Sequence, residues 1–301
     1  MSALLKQNLN DGWVFKESGS SDWKKAEIPG CVHLDLLNNE LSSEPFYGTN
    51  EKALQWISDK DWNYKLIFEP ELGLLDQEKI LLKFHGLDTY AEVLLNEKKI
   101  LESDNMFHPW VADVKGILKE GENKLLVHFS SPINKILPTL KSRDHILPAD
   151  NDQIKHTSPF TRKAPYHYGW DWGPSFATSG IWQSVEIIGV GKLSVESTHI
   201  FQKKVSSSKA ELNLELIVET SEDTEAELLI VEERSNTKIS IWMQLKHGEN
   251  QISEAIIIDD PDLWWPIGHG DQNLYEFQIS LETKDKRSEL TNRIGIRDFK
   301  I

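Results

Sequence analysis

A carboxylate between two indoles is the group of residues in this chain best suited to bind a ligand. Residues 169–173 read Gly-Trp-Asp-Trp-Gly, and Pro174 follows. A sugar ring has apolar C–H faces, which suit flat indoles, and hydroxyl edges, which suit a hydrogen-bond-accepting carboxylate. A role in a core would leave the carboxylate unused. We therefore predict that Trp170, Asp171 and Trp172 bind a sugar.

The segment that carries these residues is long and irregular. Between residue 132 and about residue 180 the sequence contains scattered polar residues and prolines at positions 132, 138, 148, 159, 165 and 174. Long irregular segments are uncommon inside a compact domain and usually carry function. We expect Trp170, Asp171 and Trp172 to lie on a loop that a rigid sheet supports.

Short apolar runs separated by turn residues predict a protein made mostly of β-strands. In the first part of the chain these runs are residues 79–84, 91–95, 99–101, 123–129 and 181–189. Residues 96–98 are interpreted as a hairpin turn. Helix is predicted only for residues 33–39 and 134–141. Many short strands at regular spacing favour a β-sandwich.

The pattern changes near Val190–Lys192, where we place a domain boundary. Apolar and polar residues then alternate strictly, in runs at residues 210–218, 226–231, 239–242, 255–258 and 274–281. About seven strands in roughly 100 residues are typical of an immunoglobulin-like sandwich. The predicted fold class is therefore all-β, with domains at residues 1–190 and 191–301.

Charge and apolar content exclude several functions. The formal net charge of −15 disfavours nucleic acid, anionic membranes and polyanionic sugars as partners. No apolar run reaches the roughly 18 residues that a membrane-spanning helix needs. The first residues lack a secretory apolar segment, which weakly favours the cytoplasm; with a signal removed, a periplasmic, secreted or lysosomal protein stays possible. Cys31, the single cysteine, is expected to be a small buried apolar residue.

The residues that could bind a metal or a cofactor, or act as a nucleophile, are weaker candidates for a site than residues 169–173. His145, His156 and His167 lack the spacing of zinc ligands, and Asp144, Asp150 and Asp152 lack the glycine-bearing loop of a calcium site. No phosphate-binding glycine loop or nucleophile elbow is present. We predict no metal and no cofactor.

Glycoside cleavage usually needs two carboxylates, and only Asp171 lies in a setting suited to a ligand. Other acidic residues alternate with apolar ones and are expected to face solvent, namely Glu211, Glu215, Glu225 and Glu227. A second aromatic cluster, Trp264–Trp265–Pro266, is interpreted as structural.

Several motifs together make the chain resemble the family 2 glycoside hydrolases, and within them the β-mannosidases. The resemblance spans nearly the whole chain. The segments that carry it are residues 9–13 (LNDGW), 28–33 (IPGCVH), 62–64 (WNY), 84–91 (FHGLDTYA), 105–107 (NMF), 162–163 (RK), 169–174 (GWDWGP), 180–182 (GIW), 263–266 (LWWP), 274–275 (LY) and 293–297 (RIGIR). The usual Asn-Gly of one hairpin is replaced by Asn96–Glu97, which suggests a longer turn.

The resemblance implies a jelly-roll, galactose-binding-like first domain and an immunoglobulin-like second domain. It also implies a following (β/α)₈ barrel of about 250 residues or more, which supplies both catalytic glutamates and is absent from these 301 residues. Asp171 would hydrogen-bond the hydroxyls of a terminal mannose, and Trp170 and Trp172 would line the same pocket.

The resulting hypothesis is the N-terminal, non-catalytic part of a retaining exo-β-mannosidase that hydrolyses terminal, non-reducing β-D-mannose residues. Its partners would be a β-mannoside oligosaccharide or glycoconjugate and the barrel of the same protein. The 301 residues alone are predicted to be inactive.

Three alternatives stay open at this point. The chain could belong to a related β-glucuronidase, β-galactosidase or exo-β-glucosaminidase, or be a free-standing carbohydrate-binding module. The third alternative is a pair of purely structural adhesion domains, in which Trp170 and Trp172 would be buried within their own domain. An exposed or disordered loop would count against this last alternative, and under the leading hypothesis we expect residues 169–173 to be disordered or highly mobile.

Overall fold

The computed structural model describes residues 5–145, 147–149, 152, 155–284 and 286–298. The chain divides into two compact units, Leu5–Gly189 and the part that begins at Val190. Both are built from antiparallel strands, so the all-β prediction is confirmed.

The described part of the first unit forms two sheets. Its strands are β1 (Leu5–Asn8), β2 (Val14–Glu17), β3 (Lys24–Lys25), β4 (Trp62–Phe68), β5 (Lys79–Phe84), β6 (Ala91–Leu95), β7 (Lys98–Ser103), β8 (Trp110–Asp113), β9 (Asn123–Phe129) and the first residues of β10 (Val185–Val190). One sheet has the order β3-β2-β4-β9-β6-β7 and the other β1-β10-β5-β8.

A large apolar core lies between these sheets. Along β4 and β9 every second side chain is buried, as the period of two predicts. Tyr64 and Val127 contribute from the larger sheet, and Leu82 and Ile187 from the smaller one. This core gives the loops at the edges a fixed support.

Helices are short in this unit. They are α1 (Val32–Asn38), α2 (Asn50–Ala53) and α3 (Leu137–Lys141), with 3-10 turns at Gln55–Asp59, Ser158–Phe160 and Pro165–Tyr168. The helix predicted at residues 33–39 is present, whereas the one predicted at 134–141 is shorter. Among the described residues, no helix is long and apolar enough to cross a membrane.

The second unit contains seven strands in its described part. They are β11 (Leu193–Val205), β12 (Lys209–Thr220), β13 (Thr224–Glu232), β14 (Thr237–Leu245), β15 (Gly248–Asp259), β16 (Tyr275–Glu282) and β17 (Arg287–Ile294). They form sheets β11-β12-β15 and β14-β13-β16-β17, the arrangement expected of an immunoglobulin-like sandwich. The four glutamates predicted to face solvent are half-buried or exposed.

Two local predictions were wrong. The strand predicted at residues 181–189 begins only at Val185. The Asn96–Glu97 turn is not lengthened, because β6 ends at Leu95 and β7 begins at Lys98. Both turn residues have left-handed backbones, with φ of 49° and 71°, as a two-residue hairpin turn of the primed type requires.

Candidate functional site

Residues 169–173 form a closed turn at the surface of the first unit. The Trp170 N–H donates a 3.1 Å hydrogen bond to the Gly173 carbonyl, and the Gly173 N–H donates one of 3.3 Å to the Trp170 carbonyl. Gly169, with φ of 105°, enters the turn through a backbone conformation that a side chain disfavours. The three predicted residues therefore lie at the tip of a compact loop.

Both tryptophans of this loop are solvent-exposed. Trp170 is 48% exposed and Trp172 84% exposed. Asp171 is also exposed, and its carboxylate has no hydrogen bond or ion pair with the part of the chain that the structure describes. This exposure counts against the purely structural alternative, which requires buried indoles, whereas the mobility of the loop stays a prediction.

A largely apolar pocket of about 410 Å³ lies beside the loop. Rings dominate its lining, namely His33, Phe46, Tyr166, His167, Trp170, Trp172 and Phe176. Its volume falls within the range of small-molecule sites. The structure thus places both predicted tryptophans at one pocket, while the Asp171 side chain is not part of that pocket's lining.

The floor of the pocket is held by ring contacts. Phe176 lies 5.5 Å from the ring of His33 and 5.7 Å from that of Phe46, with both pairs edge to face. Burial, followed by the charge of Lys163, lowers the pKa of His33 to about 4. His33 is therefore neutral near pH 7, and its Nδ1 atom has no hydrogen-bond partner among the described residues.

The segment after the turn is fixed to α2 and the 3-10 turn that follows it. The Ser175 N–H donates a 2.7 Å hydrogen bond to Glu51 Oε1, and Gln55 Nε2 donates one of 2.8 Å to the Ser175 carbonyl. These contacts anchor the chain two residues beyond Gly173. The loop is consequently supported by elements more than 100 residues earlier in the sequence.

Sequence reasoning missed Phe46, Tyr166 and Phe176. Phe46 comes from a separate irregular segment. Tyr166 and Phe176 lie in the same long segment as the loop, but their positions in the sequence do not show that their rings line one pocket with Phe46. The signal available in the sequence was an aromatic residue directly after a proline, since Phe46 follows Pro45 and Tyr166 follows Pro165. Phe46 is 76% exposed and Tyr166 63% exposed.

The other candidates do not build a site. Trp264 packs against Gly295, and the Arg297 guanidinium lies 4.8 Å from the centre of the Trp265 ring, so this cluster packs within the second unit. Among the described residues, no group of three or more His, Cys, Asp or Glu side chains could hold a metal ion. Asp150, one of the calcium candidates, lies outside the described residues.

Comparison with protein families covers both units. Residues 13–183 match the glycosyl hydrolase 2 galactose-binding domain-like family, and residues 193–297 match the glycosyl hydrolases family 2. The chain belongs to glycosyl hydrolase family 2. The family resemblance predicted from the motifs is confirmed, and the chain corresponds to the N-terminal domains of such enzymes.

Similar members of the family include β-mannosidases. The chain is 31% identical over 319 residues to β-mannosidase B of Emericella nidulans, covering 100% of this chain and 36% of that protein. Its fold matches the crystal structure of β-D-mannosidase from Dictyoglomus thermophilum with a TM-score of 0.90 and 36% identity, covering 97% of this chain and 36% of the other. Amycolatopsis orientalis exo-chitosanase CsxA, at 19% identity and a TM-score of 0.72, shares the fold. The chain thus spans about a third of the length of these relatives.

Proposed function

We propose that this chain is the N-terminal, non-catalytic part of a retaining exo-β-mannosidase, and that its 169–173 loop contacts the terminal mannose. The observation that carries the proposal is the exposed Trp170–Asp171–Trp172 tip on a sugar-binding type of sandwich. An unpartnered carboxylate beside two exposed indoles is well suited to a neutral sugar, because it offers hydrogen-bond acceptors and flat apolar faces together.

Within this proposal the loop binds and does not cut. The Asp171 carboxylate accepts hydrogen bonds from sugar hydroxyls, and the indoles of Trp170 and Trp172 cover C–H faces. A retaining mechanism needs an acid/base and a nucleophilic carboxylate about 5 Å apart. We assign both of these groups to a catalytic barrel elsewhere in the longer protein.

The resemblance to β-mannosidases favours mannose over other sugars. The relatives named β-mannosidase are 31% and 36% identical to this chain, whereas the exo-chitosanase is 19% identical. The test is to express the longer reading frame that contains this chain and to compare rates on 4-nitrophenyl β-mannoside, β-glucoside, β-galactoside, β-glucuronide and β-glucosaminide. We expect the β-mannoside to be the preferred substrate; preference for another glycoside would overturn the assignment.

The 301-residue chain itself is the matched control. We expect it to fold and to show no hydrolysis of the β-mannoside, since the acid/base and the nucleophile together supply most of the acceleration. Hydrolysis by the purified chain would contradict the non-catalytic role.

A free-standing carbohydrate-binding module is the second candidate, and the exposure of Trp172 favours it. It predicts a stop codon directly after the codon for Ile301, together with mannose binding at millimolar or lower concentration that is lost in Asp171→Ala. A reading frame that continues into a barrel would exclude this candidate.

A further inference from the structure

Asp88 is a buried carboxylate at the base of the 169–173 loop. It lies between β5 and β6 and is 1% exposed. Its N–H donates a 2.9 Å hydrogen bond to the Gly180 carbonyl, and its carbonyl accepts one of 2.9 Å from the Gly180 N–H. The backbone of Asp88 is therefore fixed to the segment that leaves the loop.

The side chain of Asp88 forms an ion pair with Lys163, on the segment that enters the loop. Lys163 Nζ lies 2.5 Å from Asp88 Oδ1 and also contacts Oδ2. The Lys163 side chain is 0% exposed and that of Asp88 2% exposed. Lys163 Nζ donates a further 2.8 Å hydrogen bond to the Thr178 carbonyl.

Thr178 completes the connection on the far side of the loop. Its hydroxyl donates a 2.7 Å hydrogen bond to Asp88 Oδ2. The hydroxyl oxygen of Thr178 also lies 3.3 Å from Nδ1 of His167, a residue two positions before Gly169. Because the Thr178 hydrogen is directed to Asp88, the tautomer with a proton on His167 Nδ1 completes the network. One carboxylate thus contacts residues on both sides of the turn.

A buried ion pair is a poor source of stability, because the cost of removing two charges from water offsets most of their attraction. What such a pair does supply is a fixed orientation of the groups that it joins. Charge-assisted hydrogen bonds are short and oriented, and in this network they fix Lys163 and Thr178 to the same carboxylate. An apolar pair of equal volume would fill the space without fixing that geometry.

We propose that the Asp88–Lys163 pair, together with Thr178, positions the 169–173 loop by clamping the segments on its two sides. Asp88 and Lys163 are positioning residues that act through the loop. Their importance for catalysis rests on the proposed function, because it follows only if the loop contacts sugar. The clamp itself is a property of the chain that is measured without any sugar.

The test compares hydrogen exchange in the 301-residue chain and in the double variant Asp88→Asn/Lys163→Met. This variant removes both charges at nearly constant volume, so no unpaired charge is left buried. We expect its thermal midpoint to change by a few degrees at most. We expect the amide hydrogens of Trp170 and Gly173 to exchange at least about tenfold faster, because local opening no longer breaks charged contacts.

The matched control removes an ion pair of the same chemistry in the second unit. Lys246 Nζ lies 2.9 Å from Asp223 Oδ2, and both side chains are largely exposed. In Asp223→Asn/Lys246→Met, exchange at residues 169–173 should equal that of the parent chain. If exchange in the loop is unchanged in a folded Asp88→Asn/Lys163→Met chain, or rises equally throughout the first unit, the clamp is wrong.

Thr178→Val keeps the ion pair and removes only the hydroxyl, so it tests the clamp even if the double variant does not fold. We expect faster exchange at Trp170 and Gly173, and restoration in Thr178→Ser. Equal exchange in the Val and Ser variants would overturn the proposal. If the hydrogen-exchange results support the clamp but sugar binding does not depend on the loop, the proposed function is wrong and the clamp is still supported.

Discussion

Tyr64 donates a 2.6 Å hydrogen bond to Oδ2 of Asp35, and both side chains are buried. Asp35 Oδ1 accepts a second hydrogen bond, of 2.9 Å, from the Glu27 N–H. Burial raises the pKa of Asp35 to about 6, although the hydrogen bonds from Tyr64 and Glu27 act in the opposite direction. The carboxyl group that joins α1 to β4 therefore titrates in a range where most carboxyl groups are already ionised.

The direction in which this pKa changes stability with pH follows from the number of protons that the folded and the unfolded states bind. Between pH 4 and pH 6 the folded state holds a proton on Asp35 that the unfolded state has lost, so this group makes stability fall as pH rises. We expect the free energy of unfolding of Asp35→Asn, relative to the parent, to increase by about 2 kcal/mol between pH 4 and pH 6, because part of the linkage energy lies outside this range. Urea unfolding of both chains at several pH values measures it. A difference that does not vary with pH would show that the Asp35 pKa is not raised.

His167 is expected to have the opposite effect on the pH dependence of folding stability. Burial, followed by the charge of Lys163, lowers its pKa to about 4, against the influence of Asp88. The folded state keeps His167 neutral where the unfolded state takes up a proton, so stability is lost as pH falls from 6.5 through 4.

His167→Asn keeps a polar atom near the Nδ1 position and does not titrate. We expect the loss of unfolding free energy between pH 6.5 and pH 4 to be smaller in this variant by about 3 kcal/mol. An NMR titration of His167 in the parent chain checks the same claim directly. A midpoint near 6.5 would contradict it.

Gly180, whose backbone is hydrogen-bonded to that of Asp88, leaves no room for a side chain. Its φ is 154°, and an added Cβ would lie 2.8 Å from Cys31 Cα and 2.9 Å from the Gly30 carbonyl oxygen. Because both neighbours are backbone atoms, they cannot rotate away. Gly180→Ala should therefore lower the free energy of unfolding by about 3 kcal/mol.

Gly116→Ala is the control, because nothing lies within 4 Å of a Cβ added there. Denaturant midpoints of the two variants and the parent give the comparison, and the Gly116 variant should match the parent. Equal midpoints for both variants would mean that the segment around Gly180 adjusts to a methyl group.

The strands were predictable from the sequence because their signal is local. Alternation of apolar and polar residues predicted β9 and β13, since one face of each strand packs on a core. The start of β10 was misplaced. Residue Ile181 is apolar and buried, yet its carbonyl accepts a hydrogen bond from Gly30 N–H in an irregular segment rather than within a named strand.

The loop was predictable, but its surroundings were not. The residue types and spacing of Trp170, Asp171 and Trp172 are by themselves enough to suggest a sugar. The support of the loop depends on pairs far apart in sequence, such as Asp88 with Lys163, which are 75 residues apart. No local pattern encodes such a pair, because only the folded sheets bring its members together.

The most direct test of a sugar-contacting role for the 169–173 loop is the kcat/KM of Asp171→Asn for 4-nitrophenyl β-mannoside, measured in the longer protein that the proposed function requires. Because the substitution replaces a charged hydrogen-bond acceptor by a neutral amide, it should lower kcat/KM by roughly 10- to 100-fold. The thermal midpoint should stay unchanged, since Asp171 has no partner among the described residues. Asp11→Asn, at another exposed aspartate, should behave as the parent. An unchanged kcat/KM in Asp171→Asn would contradict a sugar-contacting role for this loop.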